Sequence, residues 1–197
     1  EVPSSIVEPK GEHMLDEIQQ QTTLVTTDPS LVSLNEKKVD IIATGSSLYA
    51  GMFGAYALEE RGISTRCIHA SQVPYHILYE HVIAISQSGE TKDVLEAVPK
   101  VFTCLTNNCY SILHDLAAHG ISLNVGPEYA VAATKTFTMS CIRLCGAIPS
   151  LAAPINDLII REDEIKTIAR RIMGYEHFLF LGDRQNYPIA LEGALKF

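Results

Sequence analysis

The chain reads as a doubly wound three-layer α/β/α sandwich built on a central parallel sheet. Three observations predict this. Short apolar runs alternate with helical patterns along most of the chain, as in successive βαβ units. The runs are apolar at consecutive positions, which marks strands buried on both faces. Turns rich in hydroxyls and glycine follow two of these runs, at the edge where parallel sheets take ligands.

Residues 1–11 read as an unstructured lead-in, and residues 14–21 as a short amphipathic helix ending in three glutamines. The first strand is residues 39–43, stopped by Thr44-Gly45-Ser46-Ser47. A helix over 48–61 follows, with Gly62 as its stop signal. Strands are expected over 63–69, 82–85, 101–105 and 121–125. Helices are expected over 91–98, 111–119 and, opened by Gly126-Pro127, over 128–147. Beyond Pro154 come a polar helix over 157–173, a strand over 178–182 and a helix over 187–197. The division this suggests is a lead-in over 1–30, a first domain over 31–153, and a linker helix with the start of a second α/β unit over 154–197. The last helix has no cap or polar tail, so the natural polypeptide is expected to continue. Two crossovers, from Thr91 to Val101 and from Tyr75 to Val82, are near the minimum length, and Pro99 falls where a helix should still run. Either these links are minimal or residues are missing there.

Composition bounds the function. The 197 residues are 47% hydrophobic and 19% charged, enough apolar content for a real core. A net charge of −8 argues against nucleic acid or an anionic membrane as partner. No apolar stretch is long enough to span a bilayer, and no signal-peptide pattern precedes the first helix. Five cysteines without framework spacing suit reduced thiols in a cytoplasmic protein. Cys141 and Cys145 share a helical face, but a packed pair of small side chains is the plainer reading than half a metal site. No metal and no organic cofactor is expected.

The sharpest motif is Ser86-Gln87-Ser88-Gly89-Glu90-Thr91, between an apolar strand and a helical pattern. The first turn of a helix has unpaired N–H groups and a partial positive charge. Small hydroxyl side chains let an anion approach those groups and add donors of their own, so a phosphate can be held without Lys or Arg. The plain alternative is an ordinary N-cap by Ser88 or Thr91, but four hydrogen-bonding side chains in one turn exceed what a cap needs. At Ser46 and Ser47 capping is a stronger rival. Lys135 reads as a surface or first-turn residue, and Tyr49 and Tyr56 as packed along their helix.

With these motifs in order, the chain resembles the sugar isomerase (SIS) family, most closely its branch formed by the isomerase half of glutamine–fructose-6-phosphate aminotransferases. Gly11 to Ile18 is similar to the segment leading into that half. Thr44-Gly45-Ser46-Ser47 with Ala50-Gly51 resembles its first sugar-phosphate loop, and Ser86 to Thr91 its second. Gly126-Pro127-Glu128, Val131-Ala132, Thr134-Lys135 and Phe137-Thr138 resemble the stretch opening its long helix. Tyr187 to Lys196 resembles its second SIS unit.

The resemblance implies roles. Ser46 lies in the substrate loop; Ser47, Ser86, Gln87, Ser88 and Thr91 would hold the phosphate of fructose 6-phosphate. Val131 would contact the sugar through its backbone. Lys196 would form a Schiff base at C2 of the opened sugar, which acidifies C1. Glu192, one helical turn earlier, is the candidate for proton handling, with a solvated helix residue as the plain rival. The implied function is conversion of fructose 6-phosphate with ammonia to glucosamine 6-phosphate, by a cytoplasmic homodimer.

Departures matter too. The family's enolising glutamate would fall just after Phe197 and its ring-opening histidine further on. Ala133 stands where a serine is usual, and Arg184 where a glycine is. No leading cysteine nucleophile marks a glutaminase half. Two other readings stay open: a stand-alone SIS deaminase or deglycase, and a non-catalytic phosphosugar-binding regulatory module.

Overall fold

The computed structural model describes residues 12–25, 32, 34–75, 78–146 and 152–197. The lead-in expected over 1–11 lies outside the described residues. Five strands, β1 (Lys38–Ala43), β2 (Ser64–His69), β3 (His81–Ile85), β4 (Thr103–Thr106) and β5 (His119–Ser122), form one all-parallel sheet in the order β2-β1-β3-β4-β5.

Continuous apolar runs become strands because both faces are covered. Ile41 and Ala43 of β1, and Ile83 and Ile85 of β3, enter one core cluster with Leu58, Leu123, Met139 and Leu144. Their neighbours in the same strands, Ile42, Val82 and Ala84, enter a second cluster with Val94, Phe102 and Leu113. The period of two along each strand sends successive side chains to opposite faces. The first cluster is closed by α2 (Gly45–Glu60) and α5 (Lys135–Cys145), with α1 (Glu12–Leu24) packed on α5. The second lies under a 3-10 turn (Ala70–Tyr75), α3 (Lys92–Ala97) and α4 (Ile112–Leu116).

Asp40 interrupts the apolar run of β1 and is wholly buried. It pairs in register with Arg66 of β2. Its carboxylate accepts Arg66 Nε at 2.7 Å, Arg66 Nη2 at 2.8 Å and the Tyr79 backbone N–H at 2.6 Å. The guanidinium also lies 3.8 Å from the centre of the Tyr79 ring. A buried carboxylate is tolerable only when satisfied in this way.

Several expected boundaries shift, each for a physical reason. The helix expected over 91–98 is α3, which stops at Ala97; Val98 is extended (φ −72°, ψ 141°), because the residue before Pro99 is driven out of the helical region. That crossover is therefore short. The strand expected over 121–125 is His119–Ser122 instead: its ladder runs from Thr103↔His119 to Thr106↔Ser122, and its last bond to β4 is from Leu123 N–H to Thr106 O at 2.9 Å. The helix expected over 111–119 shrinks to α4 accordingly. The long helix expected over 128–147 begins only at Lys135, since Glu128 ties the preceding loop to itself, as described below. The polar helix expected over 157–173 is two helices, α6 (Ala152–Ile159) and α7 (Glu162–Ile172), with a fresh acidic first turn at Glu162, Asp163 and Glu164. Residues 178–182 are not a strand. Among the described residues nothing pairs with them, and a strand without a ladder partner is not stable. The last helix, α8 (Asn186–Lys196), packs on α2.

Candidate active site

Sheet order fixes where a ligand crevice belongs. From β1 the chain moves outward to β2, then returns past β1 to place β3 on its other side. Loops leaving β1 and β3 therefore diverge, and the gap at their carboxyl ends is the switch point of a doubly wound sheet. The turns singled out in the sequence, Thr44–Ser47 and Ser86–Thr91, are those two exits.

At the β1 exit, Thr44 is the N-cap of α2 but makes no side-chain cap bond. Ser46 is in the first turn, half-buried, and its Oγ accepts a hydrogen bond from Lys196 Nζ at 2.8 Å. Lys196 Nζ is also 2.6 Å from Glu192 Oε1, one turn back along α8. Glu192 is 6% exposed, so the expected rival of a solvated helix residue does not hold. Neither of its carboxylate oxygens has a hydrogen bond of good geometry; the Lys196 contact is an ion pair. A buried carboxylate whose sole compensation is one lysine makes a tightly interdependent pair. Ser47 is half-buried beside it in sequence.

At the β3 exit, Ser86 is buried, and its Oγ lies 2.8 Å from Thr91 Oγ1 and accepts the Gly89 N–H at 3.1 Å. Ser88 Oγ accepts the Glu90 N–H at 3.2 Å. Thr91 is the N-cap of α3 by position, yet its hydroxyl makes no cap bond. Capping thus does not account for these hydroxyls. Gly89 has φ +69°, and a Cβ there would sit 2.0 Å from Ser111 Oγ, so only glycine fits. The loop is pinned from the neighbouring β4 exit: Gln87 O accepts Asn107 N–H at 3.1 Å, Gly89 O accepts Leu113 N–H at 3.1 Å, and Glu90 Oε1 accepts Ile112 N–H at 2.9 Å. Asn107 in turn donates to Gly126 O at 2.7 Å and accepts Val125 N–H at 3.1 Å. One hydrogen-bonded chain therefore runs along the carboxyl edge from β3 past β5.

The structure brings Lys196, Glu192 and Ser46 together, and Ser86 with Thr91. Among the described residues no hydrogen bond or ion pair joins these two sets. Val131 stands apart, fully exposed at the tip of the loop after β5. Sequence reasoning missed the supports of that loop. Lys135, expected at the surface or in a first helical turn, opens α5 but is buried, its Nζ donating to Gln20 Oε1 and Pro127 O, both at 2.8 Å. Glu17 and Glu128 accept several donors from residues 129–136. The signal available was the spacing of Glu17, Gln20 and Gln21, which share one face of α1.

Two clefts of about 470 and 480 Å³ open at the opposite, amino edge of the sheet, lined in part by Glu36, Glu80 and His81. They lie away from the strand exits, and their polar pairs include His81 Nδ1 to Glu36 Oε1 at 3.5 Å. Among the described residues no group of His, Cys, Asp or Glu side chains is arranged to hold a metal ion, and Cys141 and Cys145 are free thiols. Among them, too, no helix is long and apolar enough to cross a membrane.

A parallel sheet with hydroxyl-lined exits at its switch point defines a doubly wound ligand-binding domain. The chain belongs to the SIS domain family, whose model matches residues 34–145. It is 36% identical over 188 residues to glutamine–fructose-6-phosphate aminotransferase (isomerizing) of Aquifex aeolicus, covering 81% of this chain and 31% of that protein. The Gloeobacter violaceus protein of the same name is 31% identical over 244 aligned positions, covering 98% of this chain and 40% of the relative. This chain thus spans about a third of the length of such relatives. Since 244 positions exceed its 197 residues, the relative also has residues within the aligned stretch that this chain lacks. Among solved structures, the C-terminal domain of glucosamine-fructose-6-phosphate aminotransferase from Francisella tularensis superimposes with a TM-score of 0.77 at 26% identity, covering 93% of this chain and 66% of that one. Glucosamine-6-phosphate deaminase from Thermotoga maritima shares the fold, with a TM-score of 0.70 at 22% identity.

Proposed function

We propose that the chain carries the fructose 6-phosphate site of an isomerising aminotransferase, taking ammonia and forming glucosamine 6-phosphate. The observation that carries this reading is the meeting of Lys196 with Ser46 and Glu192 beside the β1 exit, in a member of the SIS family. Ser47, Ser86, Gln87, Ser88 and Thr91 bind the phosphate; Val131 meets the sugar through its backbone. Glu192 is placed to take the proton that the Lys196 ammonium must lose before it attacks. Nζ then adds to the C2 carbonyl of the open ketose, water leaves, and the iminium makes a C1 proton acidic. Proton movement between C1 and C2, with ammonia replacing Lys196, gives the amino sugar.

Borohydride trapping tests this directly. In the presence of fructose 6-phosphate, reduction should leave a sugar-phosphate adduct on the Lys196 peptide, seen by mass spectrometry. An adduct absent there, or equally abundant on other lysines, overturns the lysine assignment. Identifying the hexosamine phosphate formed from fructose 6-phosphate and ammonia tests the reaction itself.

A further inference from the structure

Helix α1 presents one polar face to the loop that follows β5. Glu17, at 3% exposure, is the buried member of that face. Its Oε1 accepts the backbone N–H of Ala130 at 3.0 Å and that of Tyr129; its Oε2 accepts the Thr134 hydroxyl at 2.8 Å. The loop is braced internally as well. Glu128 Oε1 accepts the Thr134 N–H at 2.8 Å, and its Oε2 the Thr136 hydroxyl at 2.6 Å. Glu128 therefore already serves the start of α5. Glu17 shares the Thr134 hydroxyl with Glu128, but its other two bonds fall elsewhere, on the two amides immediately before Val131.

Tyr129 and Val131, on either side of Ala130, add little to the core. Tyr129 is 64% exposed and Val131 fully so. A carboxylate taken out of water is costly unless its oxygens are satisfied. Here that cost goes into fixing an exposed turn rather than a packed one. The turn leaves the same carboxyl edge as the two hydroxyl-lined exits, and Asn107, bonded to Val125, Gly126 and Gln87 O, ties it to the β3 exit.

We infer that Glu17 is a positioning residue: from α1 it clamps the Tyr129 and Ala130 amides and so presets the Val131–Ala132 backbone for the sugar. This rests on the sugar-phosphate reading above. The clamp acts on the sugar; the phosphate loop has bonds of its own from Ile112 and Leu113, to Glu90 Oε1 and Gly89 O, in which Glu17 has no part.

The test combines amide hydrogen exchange with titration by fructose 6-phosphate and by inorganic phosphate, for the wild type, Glu17→Ala and Glu17→Gln. Glutamine keeps one acceptor oxygen for both amides, and Thr134 keeps its bond to Glu128. Glu17→Ala should speed exchange at Tyr129 and Ala130 and weaken fructose 6-phosphate about tenfold, with inorganic phosphate changed less than about twofold. Glu17→Gln should stay within about threefold of the wild type for all three readouts. Unchanged sugar affinity in Glu17→Ala, or equal weakening of both ligands, overturns the inference. If Glu17→Ala does not fold, the wild type decides: the two amides should be protected before any sugar is added, and protection arising only with sugar refutes a preset turn. A wild type that binds neither ligand removes the sugar-phosphate reading and this role with it, while the exchange data still show whether Glu17 holds the turn.

Discussion

Lys196 and Ser46 are 150 residues apart in the chain and joined by a hydrogen bond of 2.8 Å. The bond exists because α8 packs on α2, and because Ser46 sits in the first turn of α2, where the side chain faces the strand exit. The same nitrogen meets Glu192, so Nζ has a fixed position between a hydroxyl and a carboxylate. For the proposed Schiff-base condensation, a fixed reacting atom lowers the barrier by positioning. Lys196→Ala should abolish borohydride trapping while fructose 6-phosphate still binds. Ser46→Ala should keep trapping but slow it about tenfold, the worth of one hydrogen bond to a charged group. Trapping time courses on the three proteins measure both.

How much of this was legible in the sequence depends on the range of the interactions concerned. β1 and β3 could be read directly, because consecutive apolar residues have few other uses. Ser86 to Thr91 stood out because its composition exceeds the needs of a turn. The first-turn place of Lys135 was legible, but its burial was not, because that depends on Gln20, 115 residues away, and on the Pro127 carbonyl. The loop over 123–134 looked like a helix start because Gly126-Pro127 is a fair opening signal; Glu128, by accepting from Thr134 and Thr136, holds the chain out of the helix until Lys135. Residues 178–182 have the apolar pattern of a strand, but pattern alone cannot supply a partner. Lys196 was singled out by family resemblance; nothing in its local pattern separates it from a surface lysine.

The β3 exit can be dissected by two substitutions with different signatures. Thr91→Val removes a hydroxyl from Ser86 but leaves Ser86 Oγ to accept the Gly89 N–H. It should cost under about 1 kcal/mol of stability and weaken fructose 6-phosphate about tenfold. Gly89→Ala should do the reverse in order of severity. Its φ of +69° and the overlap with Ser111 force the loop open, at a cost of about 3 kcal/mol. Urea denaturation with and without ligand separates the two; equal stability of both variants would contradict the geometry.

Glu17 also makes stability depend on pH. Burial pushes its carboxyl up, but the Ala130 and Tyr129 amides, the Thr134 hydroxyl and the Lys135 charge outweigh this and hold it below its ordinary 4.5. A carboxyl lowered in the folded state binds protons more readily when unfolded. Its contribution is therefore complete above the unfolded value and is lost as pH falls through the folded one. Glu128 and Asp16 border the same region, so the comparison must isolate Glu17. The wild type should exceed Glu17→Gln in stability at neutral pH. That margin should begin to shrink near 4.5 and disappear at lower pH. Urea midpoints of both proteins from pH 7 to 3 would show it, and a margin constant across that range would mean the carboxylate carries no such linkage.

Cys67, Cys104, Cys141 and Cys145 should be inert in the folded chain. Burial pushes Cys67 up to about 12 and Cys104 and Cys145 up to about 11, from an ordinary 9.0, and pushes Cys141 well above it too. A thiol with a value near 11 is a thiolate in roughly one molecule in a thousand at pH 8, and the thiolate is the nucleophile. Cys104 and Cys141 are also shielded by their place in the core. Iodoacetamide at pH 8 should therefore modify these four at least about a hundredfold more slowly in the native protein than in urea. Peptide mapping resolves each site. Fast native labelling confined to Cys145 would mean that the end of α5, where Gly146 closes the helix, opens on its own; fast labelling of Cys67 as well would mean that the packing of α2 on the sheet, with Cys67 Sγ 3.6 Å from Leu48 O, is not maintained in solution.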